Sequence, residues 1–169
     1  MVSNSIVSRD SFAVGDFVVY PAHGVGKLVD IEIHDICDTS VELFVIEFAK
    51  DHMILKLPIQ KACASGLRPI CNKDEMQSAL GLLGTRSRKK KTMWNRRAQE
   101  YEEKINSGSI ISLADVIREL HSDQIVDQSY SERQIYQLAM DRFVRELSLV
   151  DDVDESTASK KVQEMLSVA

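Results

Sequence analysis

The sequence has few of the features that mark membrane, secreted or disulfide-bonded proteins. Its longest apolar stretches are only a few residues, such as Leu43 to Ile46, so no segment is long enough to span a bilayer. Met1 to Asp10 lacks a basic start followed by an apolar run, so we expect no secretory signal. The cysteines are odd in number and form no C-x-x-C pair, which predicts neither a disulfide framework nor a zinc site and favours a reduced, cytoplasmic environment. They are Cys37, Cys63 and Cys71.

Patterns that carry catalysis are also missing. The histidines show no H-x-x-x-H or H-E-x-x-H spacing; they are His23, His34, His52 and His121. Gly24-Val25-Gly26-Lys27 is too short for a phosphate-binding loop and is interpreted as a β-turn. We therefore expect no enzyme activity, no cofactor, no metal and no small-molecule substrate.

The charge of the chain is distributed unevenly. The formal net charge of −5 argues against unrestricted binding to nucleic acid. Between residues 86 and 97, however, there are seven basic residues and no acidic one. A concentrated positive site on an acidic body is typical of a local contact with a polyanion, although a solvated loop or a contact with an acidic protein would give the same pattern. The basic residues are Arg86, Arg88, Lys89, Lys90, Lys91, Arg96 and Arg97.

The only tryptophan, Trp94, lies within this basic segment. Lysine and arginine contact phosphates, and an aromatic ring can stack on bases or wedge between them. Trp94 also shares a helical face with Ala98, Tyr101 and Ile105, so periodicity alone indicates a core residue. Both interpretations of the ring stay open on the residues alone.

The periodicity changes near Pro69 and predicts an α+β protein of two domains. Short β-branched and aromatic runs before that point predict four or five strands in a small antiparallel barrel or bent sheet, with Met53 to Leu57 as a candidate edge strand. Beyond it, apolar spacing near 3.6 predicts a compact bundle of about five helices. We expect a flexible N-terminus at 1–11, a β domain at 12–70 and a helical domain at 71–169. The predicted helix caps are Asn72, Ser112, Ser131 with Gln134, and Asp154, and a further helix begins at Thr92 or Met93.

Several segments, in the right order, resemble the CarD/CdnL family of bacterial transcription regulators. The resemblance covers nearly the whole chain, from about Phe12 to Leu149. One segment is Val14-Gly15-Asp16-Phe17-Val18-Val19-Tyr20-Pro21-Ala22-His23-Gly24-Val25-Gly26. The others are Trp94-Asn95-Arg96-Arg97, Glu103-Lys104-Ile105-Asn106-Ser107-Gly108, Ala114-Asp115-Val116-Ile117-Arg118-Glu119-Leu120 and Ser131-Glu132-Arg133.

The resemblance implies a Tudor-like N-terminal barrel that binds the β subunit of RNA polymerase, partly by strand pairing. It also implies a helical domain that binds promoter DNA, largely without sequence preference, at the upstream edge of the transcription bubble. There the tryptophan would wedge into the minor groove and prolong the open complex. The expected DNA contacts are Trp94 and the seven basic residues of 86–97; the expected polymerase contacts are His34, Ile54, Leu55 and Lys56.

Departures from the family pattern concern single contacts. Gln99 stands where the family often has lysine, and His34 and Lys56 stand where arginine is common; Lys56 keeps the charge but cannot pair a carboxylate through two parallel bonds. The resemblance implies a cytoplasmic protein that reaches the nucleoid through polymerase and has no membrane partner. The alternative is a protein-docking module whose basic segment binds an acidic protein instead of DNA.

Overall fold

The computed structural model describes residues 9–87, 91–121 and 128–169. The chain divides into two compact units, residues 1–70 and 71–169. The predicted flexibility of 1–11 falls mostly outside the described residues, since only Arg9–Ser11, a single turn of 3-10 helix, belongs to them. Arg9 forms an ion pair with Glu42 at 3.0 Å.

The N-terminal unit contains β1 (Phe17–Tyr20), β2 (Gly24–Ile36), β3 (Thr39–Phe48), β4 (Met53–Pro58), the short helix α1 (Ile59–Ala62) and β5 (Arg68–Pro69). Among the described residues these strands form one antiparallel sheet with the order β4-β3-β2-β1-β5. The α+β class and the small N-terminal antiparallel β domain are confirmed, but the sheet is open, because the edge strands β4 and β5 do not pair with each other among the described residues.

An irregularity in β2 explains why Leu28 breaks the alternation of the sequence. Leu28 is opposite Ile46 and Asp30 is opposite Val45, so β2 carries one extra residue at a β-bulge. The bulge lets Leu28, which is 1% exposed, share the core face with Ile31. Without it, one of the two side chains would face the wrong side of the sheet.

The core of the N-terminal unit lies on one face of this sheet and is closed by α1. Phe44, Ile46 and Phe48 alternate along β3 and are almost fully buried. Gly26 is required beside them, because a Cβ atom there would lie 2.6 Å from Cγ2 of Ile46. The core also contains Phe12, Val18, Leu28, Leu57, Ile59, Ala62 and Leu67.

The C-terminal unit contains five helices in the described residues: α2 (Lys73–Leu83), α3 (Trp94–Asn106), α4 (Ile110–Leu120), α5 (Tyr130–Asp151) and α6 (Glu155–Ser167). Two of the predicted caps are confirmed. Asn72 caps α2 in a capping box with Glu75, and Asp154 caps α6 by accepting a bond from the Thr157 amide. No helix in the described parts of the chain is long and apolar enough to cross a bilayer.

Two predicted caps were wrong. Helix α4 is capped by Ser109, not Ser112, because Ile110 must already be helical to place its side chain in the core, where it is 4% exposed. Helix α5 is capped by Ser129, whose box partner is Glu132, so the predicted pair of Ser131 and Gln134 lies inside the helix. A carboxylate in the first turn is favoured by the helix dipole over a neutral amide.

Candidate nucleic-acid interface and protein-docking face

The predicted polymerase contacts lie on β2 and β4, and three of the four share one face of the sheet. Lys56 is opposite Val45, and Glu32 is opposite Leu43, so β3 runs between the two charged residues. Their side chains meet across it: Nζ of Lys56 donates to Oε2 of Glu32 at 2.9 Å. Nε2 of His34 lies 2.6 Å from the same oxygen. We call Glu32, His34 and Lys56 the outer-face cluster.

The outer-face cluster changes what Lys56 can offer a partner. Two hydrogen bonds lower the pKa of Glu32: the one from Lys56 has the larger effect and the one from His34 the next. They hold the carboxylate in its charged form. Lys56 is therefore not a free cation but one half of an ion pair. The pair also lies over Leu43 and Val45, which are buried although they face away from the main core. Sequence reasoning missed Glu32, although its position two residues before His34 places both on one face of a strand.

Strand β4 presents its side chains in two opposite directions. Ile54 lies on the same face as Lys56 and is 63% exposed, which is unusual for a large apolar residue. Leu55 points the other way and packs against the core of the N-terminal unit. Leu55 can therefore contribute only its backbone to a partner. Since β4 is an edge of the described sheet, its outward N–H and C=O groups are available for strand pairing.

The basic segment is described in part. Arg86 and Lys91 are exposed, while Arg88, Lys89 and Lys90 lie outside the described residues. The side chain of Arg96 is 77% exposed, and its Nε lies 3.9 Å from Oε1 of Glu100, at the limit of an ion pair. An exposed pair at that distance contributes little, so the charge of Arg96 remains available to a phosphate.

Arg97 is placed quite differently from Arg96. Its guanidinium carbon lies 5.6 Å from the centre of the Trp94 ring and 5.8 Å from that of Tyr101. Nη2 of Arg97 also lies 3.4 Å from the Tyr101 hydroxyl. These distances are those of a cation–π contact to both rings. Arg97 therefore holds the two aromatic side chains together instead of extending into solvent.

Trp94 is neither a core residue nor a free ring. It is half-buried, packs against the edge of the helical core and lies 6.4 Å from the Tyr101 ring, at a tilt of 48°. Tyr101 beneath it is 2% exposed, and burial raises its pKa. The helical periodicity of the sequence indicated correctly that one edge of the Trp94 ring faces the core. Because Trp94 lies in the first turn of α3, the other edge of the ring stays exposed. Trp94, Arg97 and Tyr101 form an aromatic clamp.

The start of α3 lacks the side-chain cap found on the four other helices that the structure describes in the C-terminal unit. Met93 occupies the N-cap position and makes no capping hydrogen bond, and the first turn contains no acidic residue. The other four caps are Asn72, Ser109, Ser129 and Asp154. The first amide N–H groups of α3 thus receive no bond from an N-cap side chain, and the positive end of the helix dipole lies beside Trp94.

A charged network connects α3 to α4 behind the clamp. Lys104 forms ion pairs with Asp115 and, at 3.6 Å, with Glu119. Arg118 binds Oδ1 of Asp115 at 2.5 Å and the Thr85 hydroxyl at 3.0 Å. Burial is the largest single influence on Asp115 and opposes its charge, but the hydrogen bonds and charges of Lys104 and Arg118 together outweigh burial and lower the pKa of Asp115. For Lys104, the hydrogen bonds and charges of Asp115 and Glu119 together outweigh burial and raise the pKa. The two motifs around Lys104 and Asp115 are therefore structural.

Together, the fold and these two surfaces define a binding protein: an open sheet with an exposed edge, and a helical unit with an aromatic clamp at the start of α3, where the basic segment meets the helix. Comparison with known proteins agrees with this class. The model of the CarD-like/TRCF RID domain matches residues 12–71, and that of the CarD C-terminal domain matches residues 78–163. The chain is also 24% identical over 145 residues to the "Putative transcription factor YdeB" of Bacillus subtilis (strain 168). That match covers 85% of this chain and 95% of the relative.

The chain therefore belongs to the CarD-like family. Domains of the RID type interact with RNA polymerase in general, and members of these families act in transcription as binding proteins and are not enzymes in general. The matched residues include the outer-face cluster in the first model and the aromatic clamp in the second.

Proposed function

We propose that this protein is a transcription regulator that binds the β subunit of RNA polymerase through residues 12–70 and promoter DNA through residues 71–169. On this proposal the helical domain contacts DNA at the upstream edge of the transcription bubble and stabilises the open complex. One observation carries the proposal: the half-exposed Trp94 ring is held by Arg97 and Tyr101 at the uncapped start of a helix whose neighbouring exposed side chains are basic.

The clamp supports a wedge because it fixes the ring before DNA arrives. Inserting an apolar side chain at a base step costs a few kcal/mol of unstacking, which the attraction between the protein and the bent DNA must offset. A ring that is already ordered loses little conformational freedom on binding, so more of its interaction energy with the bases remains. Tyr101 and Arg97 supply this order in the free protein.

Phosphate contacts supply the second part of the DNA interface. Arg86, Lys91 and Arg96 are exposed, and the amide groups at the start of α3 can donate to a phosphate as helix N-termini do. We propose Arg88, Lys89 and Lys90 as further phosphate contacts. Contacts of this kind do not depend on base sequence, which fits DNA binding with little sequence preference. Arg97 contributes by holding Trp94 rather than by direct phosphate binding.

The polymerase interface combines the free edge of β4 with the outer-face cluster. A partner strand can pair with the backbone of β4, while Ile54 offers an exposed apolar contact. A partner carboxylate must then compete with Glu32 for Lys56, while His34 keeps its own hydrogen bond to Glu32. This competition supports a contact that is specific but of modest strength.

The charge distribution supports recruitment by polymerase. A net charge of −5 keeps the free protein off bulk DNA, whereas docking on polymerase raises the local concentration of the basic segment at the promoter. We accordingly place the protein in the cytoplasm, on the nucleoid when polymerase carries it. The proposal requires no cofactor and no catalysis.

The test pairs thermal melts with the half-life of the open complex on one promoter. Since Trp94 is half-buried, Trp94→Ala is expected to lower the stability of the helical unit by about 2 kcal/mol, less than full removal of a core tryptophan, and to shorten the half-life severalfold. Trp94→Phe, which keeps an aromatic ring, should lose less of both. A folded Trp94→Ala variant with an unchanged half-life would contradict the wedge. If the basic segment binds an acidic protein instead, neutralising its lysines should abolish binding while Trp94→Ala should not.

A further inference from the structure

The most exposed large hydrophobic side chain in the described residues is Met93, directly before the clamp. It is 80% exposed. Its backbone is extended, with φ −58° and ψ 143°, at the N-cap of α3. Exposed single apolar residues are common on protein surfaces and need no explanation by themselves. The position of this one makes it informative.

Met93 occupies a position where a polar residue would stabilise the helix. Serine, threonine, aspartate and asparagine are strongly preferred as N-caps, because their side chains accept a bond from the first helical amides. Every other helix of the C-terminal unit in the described residues has such a cap. At α3 the chain has an apolar side chain in water and no capping bond. Local choices that reduce stability are concentrated at functional sites.

The neighbouring charges indicate what Met93 meets. Lys91 and Arg96 are exposed on either side of it, and no acidic residue occurs from Lys91 to Gln99. These positive charges attract phosphates, and they make contact with a protein surface of mixed charge less favourable. The inner edge of the neighbouring Trp94 is fixed against the helical core. Met93 is therefore the more exposed of the two apolar side chains.

We infer that Met93 is a second apolar contact to DNA, packing on the face of an unstacked base beside the one that Trp94 meets. The inference rests on the proposed function of the helical domain and adds a residue to it. An unbranched thioether side chain suits this contact, since it adapts its shape and its sulfur is attracted to aromatic rings. Methionine is also among the side chains that wedge between base steps in other minor-groove proteins.

Met93→Ser separates this role from a structural one, because the two predict opposite signs. Serine is a good N-cap, so the variant should melt about 4 °C higher than the wild type if capping adds roughly 1 kcal/mol to the helical unit. Its affinity for a forked DNA duplex should nevertheless fall about tenfold, the loss expected when most of one apolar contact is removed. The open-complex half-life should shorten with it. The salt dependence of DNA binding should not change, because no charge is removed.

Three further variants make the result decisive. Met93→Leu keeps an apolar side chain of similar volume and should bind forked DNA within about twofold of the wild type. Met93→Ala adds no cap and should lose affinity as serine does. Val168→Ser, at a residue of the same unit that is 76% exposed, should leave DNA binding unchanged. An affinity loss seen only with serine, or equally with Val168→Ser, would overturn the inference.

The inference and the proposed function can fail separately. If Trp94→Ala shortens the open-complex half-life while Met93→Ser and Met93→Ala do not, the proposed function stands and the role of Met93 is refuted. If the wild-type protein neither prolongs the open complex nor binds forked DNA, the proposed function is refuted, and the role of Met93, which rests on it, is refuted with it.

Discussion

Replacing Arg97 with glutamine tests whether this arginine holds Trp94 or contacts a phosphate. Arg96 and Arg97 are adjacent in the sequence and carry the same charge, but the structure places them differently. Arg96 is largely exposed, whereas Arg97 lies against the Trp94 and Tyr101 rings. Arg96→Gln is therefore the matched control for Arg97→Gln.

The expected magnitudes follow from these contacts. A cation–π contact contributes about 0.5–1 kcal/mol at an exposed site and about 2 when desolvated, so Arg97→Gln should cost the helical unit roughly 1–2 kcal/mol. That corresponds to a fall of about 4–10 °C in melting temperature for a unit of this size. Arg96→Gln should change the melting temperature little, because its pair with Glu100 is long and exposed.

Two assays separate the roles of the arginines. Trp94 is the only tryptophan, so its fluorescence reports on the clamp directly. Arg97→Gln should shift the emission to the red as the ring becomes more exposed to solvent, and Arg96→Gln should not. In DNA binding, Arg96→Gln should reduce the slope of log affinity against log salt by about 0.9, the effect of one lost phosphate contact. Arg97→Gln should weaken binding with little change in that slope.

The opposite pattern would refute this assignment. If Arg97→Gln reduced the salt slope as much as Arg96→Gln, with unchanged melting and fluorescence, Arg97 would be a phosphate contact and the clamp would have no role in ordering Trp94. Arg97→Lys adds a further check. It keeps the charge but not the planar stacking group, so it should behave like Arg97→Gln in fluorescence.

The remaining predictions concern the outer-face cluster and the network behind the clamp. Lys56→Glu should place like charges beside Glu32 and weaken binding to the polymerase β subunit, mainly through slower association, as measured by surface kinetics. Lys61→Glu, an equal charge change at an exposed residue of the same unit, should have a smaller effect. Asp115→Asn should destabilise the helical unit by about 1–2 kcal/mol, since its ion pairs are partly buried. The folded pKa of Asp115 is lowered, so its stabilising effect is present above its ordinary pKa near 3.8 and is lost as the pH falls through the folded value. Urea unfolding as a function of pH should therefore show a shallower acid loss in Asp115→Asn than in the wild type; equal slopes would contradict this.

Much of the fold followed from local pattern. The change of period near Pro69, the capping box at Asn72 and the acid-rich start of α6 at Asp154 depend on neighbours within a few residues, and they were predicted correctly. The errors occurred where several residues offered equivalent local chemistry. Serines at 109 and 112, and at 129 and 131, can all cap a helix. The burial of Ile110 decided the first case, and the capping box with Glu132 decided the second.

The candidate sites depended more on the tertiary structure. The alternation of β4 left open whether Ile54 or Leu55 faces the core, and the packing places Leu55 inward. Glu32 was not predicted because its partner Lys56 is 24 residues away in sequence. A contact between strands that are not adjacent in the chain leaves no trace in local periodicity.

By itself, the sequence determined the change from strands to helices, the family and the position of a basic segment around a single tryptophan, because each depends on residue type and spacing along the chain. It did not reveal the short elements α1 and β5. Only the tertiary structure decided which charges are free and which apolar side chains are exposed. Arg96 and Arg97 have the same chemistry, and the helical rotation of about 100° between neighbouring residues leaves one in solvent and turns the other onto Trp94 and Tyr101. Met93 and Trp94 are also neighbours in different environments. Met93 precedes the helix and is exposed, whereas Trp94 is the first residue of the helix and packs against the core. The sequence pattern does not determine these environments, because each depends on residues far away in the chain that the fold brings close to the side chain.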